Sequence, residues 1–169
     1  SEYDETKNVT SLVKAFADNA TFFELYADYA KEIACGLASV GGVVVGVVAN
    51  NKSVNSGTLT ASAARKAAKM ISFCDSFNIP VVTILDSEGP DVSVEAEASP
   101  YAAELAKLAY AYAGAKTPMI TVVAGEAYGA VFSLMGSKAL GADIVLALDN
   151  AKVGVMSAKK AVAFLWNDK

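Results

Sequence analysis

The residues that could do chemistry are few, and no histidine is among them. A chain without imidazole lacks the side chain that titrates nearest neutrality, so acid–base and nucleophilic routes must use other groups. Ser133 and Ser137 follow a glycine-bearing stretch from Gly125 to Gly129, but no Gly-x-Ser-x-Gly frames either one. A Ser–Lys pair using Lys138 or Lys159 stays open, although scattered lysines otherwise read as a solvated surface. Glu88, Asp91, Glu95 and Glu97 crowd one segment, where they would bind a cation, exchange protons or simply keep a loop in water. Cys35 and Cys74 lie far apart in apolar settings and read as buried free thiols. With no histidine and no close cysteine pair, zinc has almost nothing to bind, and no metal is expected. What remains is the backbone. A glycine turn opening a helix at Gly129, Ala130 and Val131 presents N–H groups without intrahelical partners, and such donors stabilise an enolate or another oxyanion. The same small residues would also serve if they only let helix and sheet pack closely.

The elements that must hold this turn are legible from periodicity. Thr10–Phe16 reads as a short helix and Phe22–Tyr26 as a brief strand. "EIACGLASVGGVVVGVVAN" reads as a hairpin joined by Gly41-Gly42, a pair able to adopt positive φ. "GGVVVG" lacks the lysine and spacing of a phosphate loop. Leu59, Ala63, Ala67, Met70, Cys74 and Phe77 recur at helical spacing, placing Arg65, Lys66 and Lys69 on other faces. Asn78-Ile79-Pro80 ends that helix, and Val81–Leu85 has the unbroken apolar, β-branched character of a strand buried on both faces. Ser99-Pro100 reads as an N-cap and first-turn proline before a helix whose apolar face is Tyr101, Leu105, Leu108 and Tyr112. Met119–Val123 and Ile144–Leu148 are further strands around the glycine turn, followed by a short strand near Val153–Met156 and a helix from Ala158. Alternating apolar strands and helices predict an α/β layered domain with largely parallel strands.

Composition narrows the partners. The chain has 169 residues, 54% of them hydrophobic and 19% charged, so part of its apolar surface is expected to meet a partner rather than water. Net charge is −4 and no dense Lys/Arg stripe exists, which argues against nucleic acid. No apolar run reaches membrane-span length and the polar, acidic start is not leader-like, so a cytoplasmic setting is expected. The first residue is not Met, as in a domain cut from a longer protein or one carrying a tag scar.

Several motifs then converge on one family. "FCDSFNIPVVTILD" (Phe73 to Asp86), "AKLAYAYAGAKTPMITVV" (Ala106 to Val123), "AYGAVFSLMGSKALGAD" (Ala127 to Asp143) and "VGVMSAKKAV" (Val153 to Val162) resemble the C-terminal half of biotin-dependent carboxyltransferases. These are the β-subunits of propionyl-CoA and acetyl-CoA carboxylases and the related transcarboxylase and decarboxylase subunits. The hairpin region resembles the family's too, so the match runs from about Tyr3 to Val162. The resemblance implies an α/β crotonase-like ββα spiral, with a mostly parallel sheet opened by an antiparallel hairpin. It implies one such domain over residues 1–169, ending short of a further helical segment usual in the family. The implied activity moves a carboxyl group between biotin, held on a carrier protein, and an acyl-CoA. Biotin serves as the base while the protein supplies position and N–H donors, so a histidine-free chain can belong to an enzyme. By position, those donors are the N–H groups of Ala130 and Val131. Gly89, Tyr128, Gly129 and Ser133 fall at cofactor-binding positions, Ser133 where the family tunes acyl choice. CoA would be held by a partner half, which implies a homo- or hetero-oligomer.

The departures fall in the site loops. Where the family has D-x-P-G-F, the chain reads "DSEGP", Asp86 to Pro90. The acidic loop after it lacks the family's second glycine and basic pair. The family's Arg-Lys before A-Y-G-G is Gly125-Glu126, and Trp-Pro-Thr-Ala-Glu becomes "LDNAK", Leu148 to Lys152. Two other readings therefore stay open: a catalytically degenerate scaffold or regulatory subunit, and a stand-alone crotonase-like hydrolase or isomerase.

Overall fold

The computed structural model describes residues 8–98 and 100–166. Helix α1 (Val9–Phe16) is capped by Asn8, whose Oδ1 accepts from the Thr10 N–H at 3.0 Å. Strands β1 (Phe22–Leu25), β2 (Ile33–Val40) and β3 (Val43–Asn50) pair antiparallel. The β2–β3 turn places Gly41 and Gly42 at φ +59° and +78°, the left-handed pair that a two-residue hairpin needs. Helix α2 (Ala61–Ser76) follows, then β4 (Val81–Ser87), the one-turn helix α3 (Val94–Glu97), α4 (Tyr101–Gly114) and β5 (Met119–Tyr128). The chain closes with α5 (Ala130–Met135), β6 (Ile144–Ala147), β7 (Lys152–Gly154) and α6 (Ala158–Trp166).

The sheet has seven strands in the order β1-β2-β3-β4-β5-β6, with β7 joined to the far half of β5. From β3 onward all pairings are parallel, and parallel neighbours need crossover connections, which α2, α4 and α5 supply. Ala63, Ala67, Met70 and Cys74 of α2 share one core with Leu108 and Tyr112 of α4. Val9 and Val13 of α1 pack into a second core against Val45, Val47 and Ala49 of β3. Both cysteines are buried and free, as expected. Burial pushes the Cys35 thiol up to about 12 and the Cys74 thiol to about 11, so neither is a ready nucleophile.

Several sequence expectations need correcting. Leu59 is not in α2, which starts after Thr60; it pairs instead with the Gly89–Pro90 loop, its N–H donating to the Gly89 carbonyl at 3.1 Å. Phe77 caps the other end of α2 and is 65% exposed, so the apolar stripe stops at Cys74. Lys66 is not on a solvated face. It is buried, and its Nζ donates to the carbonyls of Tyr29, Ala30 and Ile33. Pro100 occupies the cap position of α4 rather than its first turn, and Ser99 lies outside the described residues. Part of the acidic segment is the short helix α3, and Gly125 lies inside β5 rather than in a turn.

The hairpin also carries a pH-dependent tie. The Asp18 carboxylate accepts from the N–H groups of Gly41 (3.0 Å) and Gly42 (2.8 Å) and from Ser39 Oγ (2.9 Å). These donors, Gly42 first, hold its pKa below the ordinary 3.8. A carboxyl group so depressed adds stability that is complete above 3.8 and disappears as pH falls through the lower folded value. Amide protection at Gly41 and Gly42 is expected to drop on acidification below that point, and in Asp18→Ala to be low at every pH. Unchanged protection in Asp18→Ala would show that the carboxylate does not hold the turn.

Candidate active site at the carboxyl ends of the parallel strands

Strands β4, β5 and β7 run parallel and end together, and open parallel sheets bind ligands beyond such carboxyl ends. Three short segments meet there. Gly129 follows β5 with φ +58° and ψ −134°, and its N–H donates to the Gly154 carbonyl of β7 at 2.9 Å. A Cβ on Gly129 would stand 3.3 Å from the Val155 carbonyl oxygen and 3.5 Å from Pro90 Cδ, so the Gly89–Pro90 loop and the β7 end both press on this turn. Gly89 is buried at φ +130°, its N–H donating to Ser87 Oγ at 3.1 Å. Tyr128 is 8% exposed and its ring lies over Gly154, where a Cβ would meet Cε1 at 3.7 Å. Gly89, Tyr128 and Gly129 therefore do come together.

Ala130 and Val131 open α5 from this turn. The first N–H groups of a helix have no carbonyl four residues back to bond, and no hydrogen bond from either residue to a group outside α5 is present among the described residues. Ala130 is half-buried and the Val131 side chain is fully buried, so the backbone here is firmly seated. Ser133 is exposed on α5, and Ser137 Oγ donates to the Ser133 carbonyl at 3.0 Å. No lysine is hydrogen-bonded to either serine among the described residues, so the Ser–Lys pair does not form. The four carboxylates do not converge either. Glu88, Glu95 and Glu97 are exposed, Asp91 Oδ1 accepts from the Ser93 N–H at 3.0 Å, and no metal-sized acidic cluster is present among the described residues.

The charge cluster beneath the turn was not foreseen. Asp86, at the end of β4, has a fully buried side chain, and its Oδ1 accepts from the Glu126 N–H at 3.0 Å. Lys52, in the loop after β3, places Nζ 3.6 Å from Asp86 Oδ1 and 2.8 Å from Glu126 Oε2. A Cβ on Gly125 would collide with the Asp86 carboxylate, so this glycine lets the carboxylate lie flat on β5. The β4–β5 register slips at this point: Leu85 faces Val123, but Ser87 faces Ala127. The Gly125-Glu126 charge reversal is thus neutralised within the chain by Lys52. Glu88 is likewise met by Lys160 of α6, at 3.9 Å across an exposed gap. The one sequence signal for the cluster was a carboxylate directly after a mostly apolar strand, which must be paired if buried. Its cation lies too far along the sequence for any local pattern to link them.

The carboxyl transferase domain family matches residues 2–169, and the chain belongs to that family. The propionyl-CoA carboxylase beta chain of Saccharopolyspora erythraea is 42% identical over 97% of this chain and 29% of its own length. A biotin-dependent acetyl-/propionyl-coenzyme A carboxylase beta5 subunit of Mycobacterium tuberculosis is 38% identical over 99% of this chain and 30% of its own. Among solved structures, transcarboxylase 12S, a hexamer with methylmalonyl-coenzyme A and methylmalonic acid bound, superposes with a TM-score of 0.90 at 38% identity. That superposition covers 97% of this chain and 32% of the transcarboxylase chain. The chain therefore spans about a third of the length of these relatives. The fold is the crotonase-like one that the sequence resemblance implied. No helix among the described residues is long and apolar enough to cross a membrane.

Proposed function

We propose that this chain forms the biotin-facing half of a carboxyltransferase site, which moves a carboxyl group between biotin on a carrier protein and an acyl-CoA held by a partner half. The observation that carries this reading is the pair of first-turn N–H groups, Ala130 and Val131, with no bond outside α5, beside the Gly89, Tyr128 and Gly129 cluster. Preorganised N–H donors aimed at developing negative charge on oxygen need no reorganisation during reaction. The residues present fit a ureido carbonyl oxygen: Gly129 carries no side chain, Ala130 adds one methyl, and Glu126 is paired with Lys52. Bound biotin supplies the carboxyl group and the base, which this histidine-free chain does not. The protein's part is to orient the carbonyl, hold charge on its oxygen and pack Tyr128 and the Gly89 loop against the site to limit water.

A second reading, a catalytically silent subunit that keeps fold and contacts, is favoured by the altered site loops, where Glu126 replaces the family's basic residue and is engaged by Lys52, while the apolar side chains left exposed on β6, β7 and α6 suit either reading. Leu146, Val153, Phe164 and Leu165 are 54, 52, 79 and 68% exposed, consistent with an edge that a partner covers. Calorimetry with free biotin and with a biotinylated carrier, on this chain alone and with a candidate CoA-binding half, separates the two. Saturable binding is expected with the paired halves. Absence of binding in every preparation would leave the silent subunit.

A further inference from the structure

A cavity of about 600 Å³ opens between the β1–β2 pair and α2, within the roughly 300–1,000 Å³ range of small-molecule sites. Its floor is apolar, built from Leu37, Met70 and the buried Cys35. Its walls are aromatic. Tyr26, Tyr29 and Phe73 are 71, 42 and 42% exposed, and they converge on this one groove instead of scattering over the surface. The charges are one-sided: Arg65, Lys66 and Lys69 line the groove and no carboxylate does, in a chain with 18 acidic and 14 basic residues.

The three cations have different roles. Arg65 is committed to Glu104 at 3.2 Å. Lys66 Nζ donates to the carbonyls of Tyr29 (2.8 Å), Ile33 (2.7 Å) and Ala30 (3.4 Å). It thereby pins the β1–β2 loop, which passes through left-handed backbone at two non-glycine residues, Tyr26 (φ 53°) and Ala30 (φ 47°). Such conformations persist only where their surroundings over-determine them, and they gather at ligand clamps. The backbone that carries Tyr26 and Tyr29 is therefore held before anything enters, which lowers the ordering cost of binding. Lys69 is exposed and has no ion pair among the described residues.

We propose that this groove binds a small amphipathic anion: an apolar chain or ring lying on Leu37 and Met70 between the aromatic walls, with a single carboxylate at Lys69. A cation of the same shape meets Lys69 and finds no carboxylate among the lining residues, and a neutral molecule forfeits the charged contact. None of the groove's lining residues belongs to the Gly129 turn, so the test is independent of the proposed carboxyl transfer.

The test is a titration of octanoate, 1-octanol and octylammonium into the protein, followed through the methyl resonances of Leu37 and Met70. Octanoate is expected to give saturable shifts, octanol to bind about tenfold or more weakly through loss of a charge-assisted hydrogen bond, and octylammonium not to saturate. Lys69→Glu should weaken octanoate by a similar factor, whereas Lys14→Glu, exposed on α1, should not. Leu37→Trp should fill the groove and abolish binding, with the melting temperature reporting on the fold. Equal binding of octanoate and octanol, insensitivity to Lys69→Glu, or no saturable shift would each overturn the proposal. Shifts at these methyls on simple dilution, without ligand, would also overturn it and mark the groove as an interface between copies.

Discussion

Replacing Lys52 by methionine is expected to lower the free energy of unfolding by about 3–5 kcal/mol, the usual consequence of removing one member of a buried ion pair. Asp86 has a fully buried side chain, and Lys52 Nζ stands 3.6 Å from it while also holding Glu126 at 2.8 Å. Without the ammonium, Asp86 and Glu126 lose the cation they share, while the hydrogen bond from the Glu126 N–H to Asp86 Oδ1 stays in place. Methionine keeps most of the stem's volume, so the loss reads charge rather than packing. The thermal midpoint should fall by roughly 10 °C for a domain of this size. Asp86→Asn in the Lys52→Met background should restore part of the loss, since an amide needs no counter-charge. A decrease below about 1 kcal/mol in Lys52→Met would show that the cluster is solvated and does not organise the base of the site.

Ala130→Pro is expected to reduce carboxyl transfer by about 10²–10³-fold, the effect of removing one oxyanion donor, while leaving the fold intact. Ala130 is the first helical residue after Gly129, the position where proline is best tolerated because its N–H has no helical acceptor. Gly129, at φ +58° and ψ −134°, lies outside the helical region that a following proline disfavours. The substitution thus deletes one proposed donor and little else. The assay uses the chain with a candidate CoA-binding half, biotin as acceptor, and circular dichroism to check the helix. The KM for the acyl-CoA should stay near the unsubstituted value, because the proposed reading places CoA on a partner half. Transfer within about threefold of the unsubstituted protein would remove Ala130 from the proposed mechanism, since one oxyanion donor is worth far more than that.

What the sequence by itself determined was everything carried by short-range periodicity and turn chemistry. The Gly41-Gly42 hairpin, the middle of the α2 stripe, the α4 face and the strands β4 and β5 were legible, because each depends on residues within a few positions of one another, and their alternation with helices pointed to parallel pairing. The family's motifs were legible for the same reason, and so was Gly129 as the opening of α5. Only the tertiary structure decided which polar groups are buried and what they meet. Lys66 read only as lying off the apolar stripe of α2 until the β1–β2 loop folded its carbonyls over Nζ. Gly125 read as part of a turn until the Asp86 carboxylate occupied the space of its missing side chain. Lys52 and Glu126 had no visible relation until β3 and β5 brought them within 2.8 Å on either side of β4. Burial and charge pairing are properties of neighbours across the sheet, and that distance is set by strand order, which no local spacing encodes.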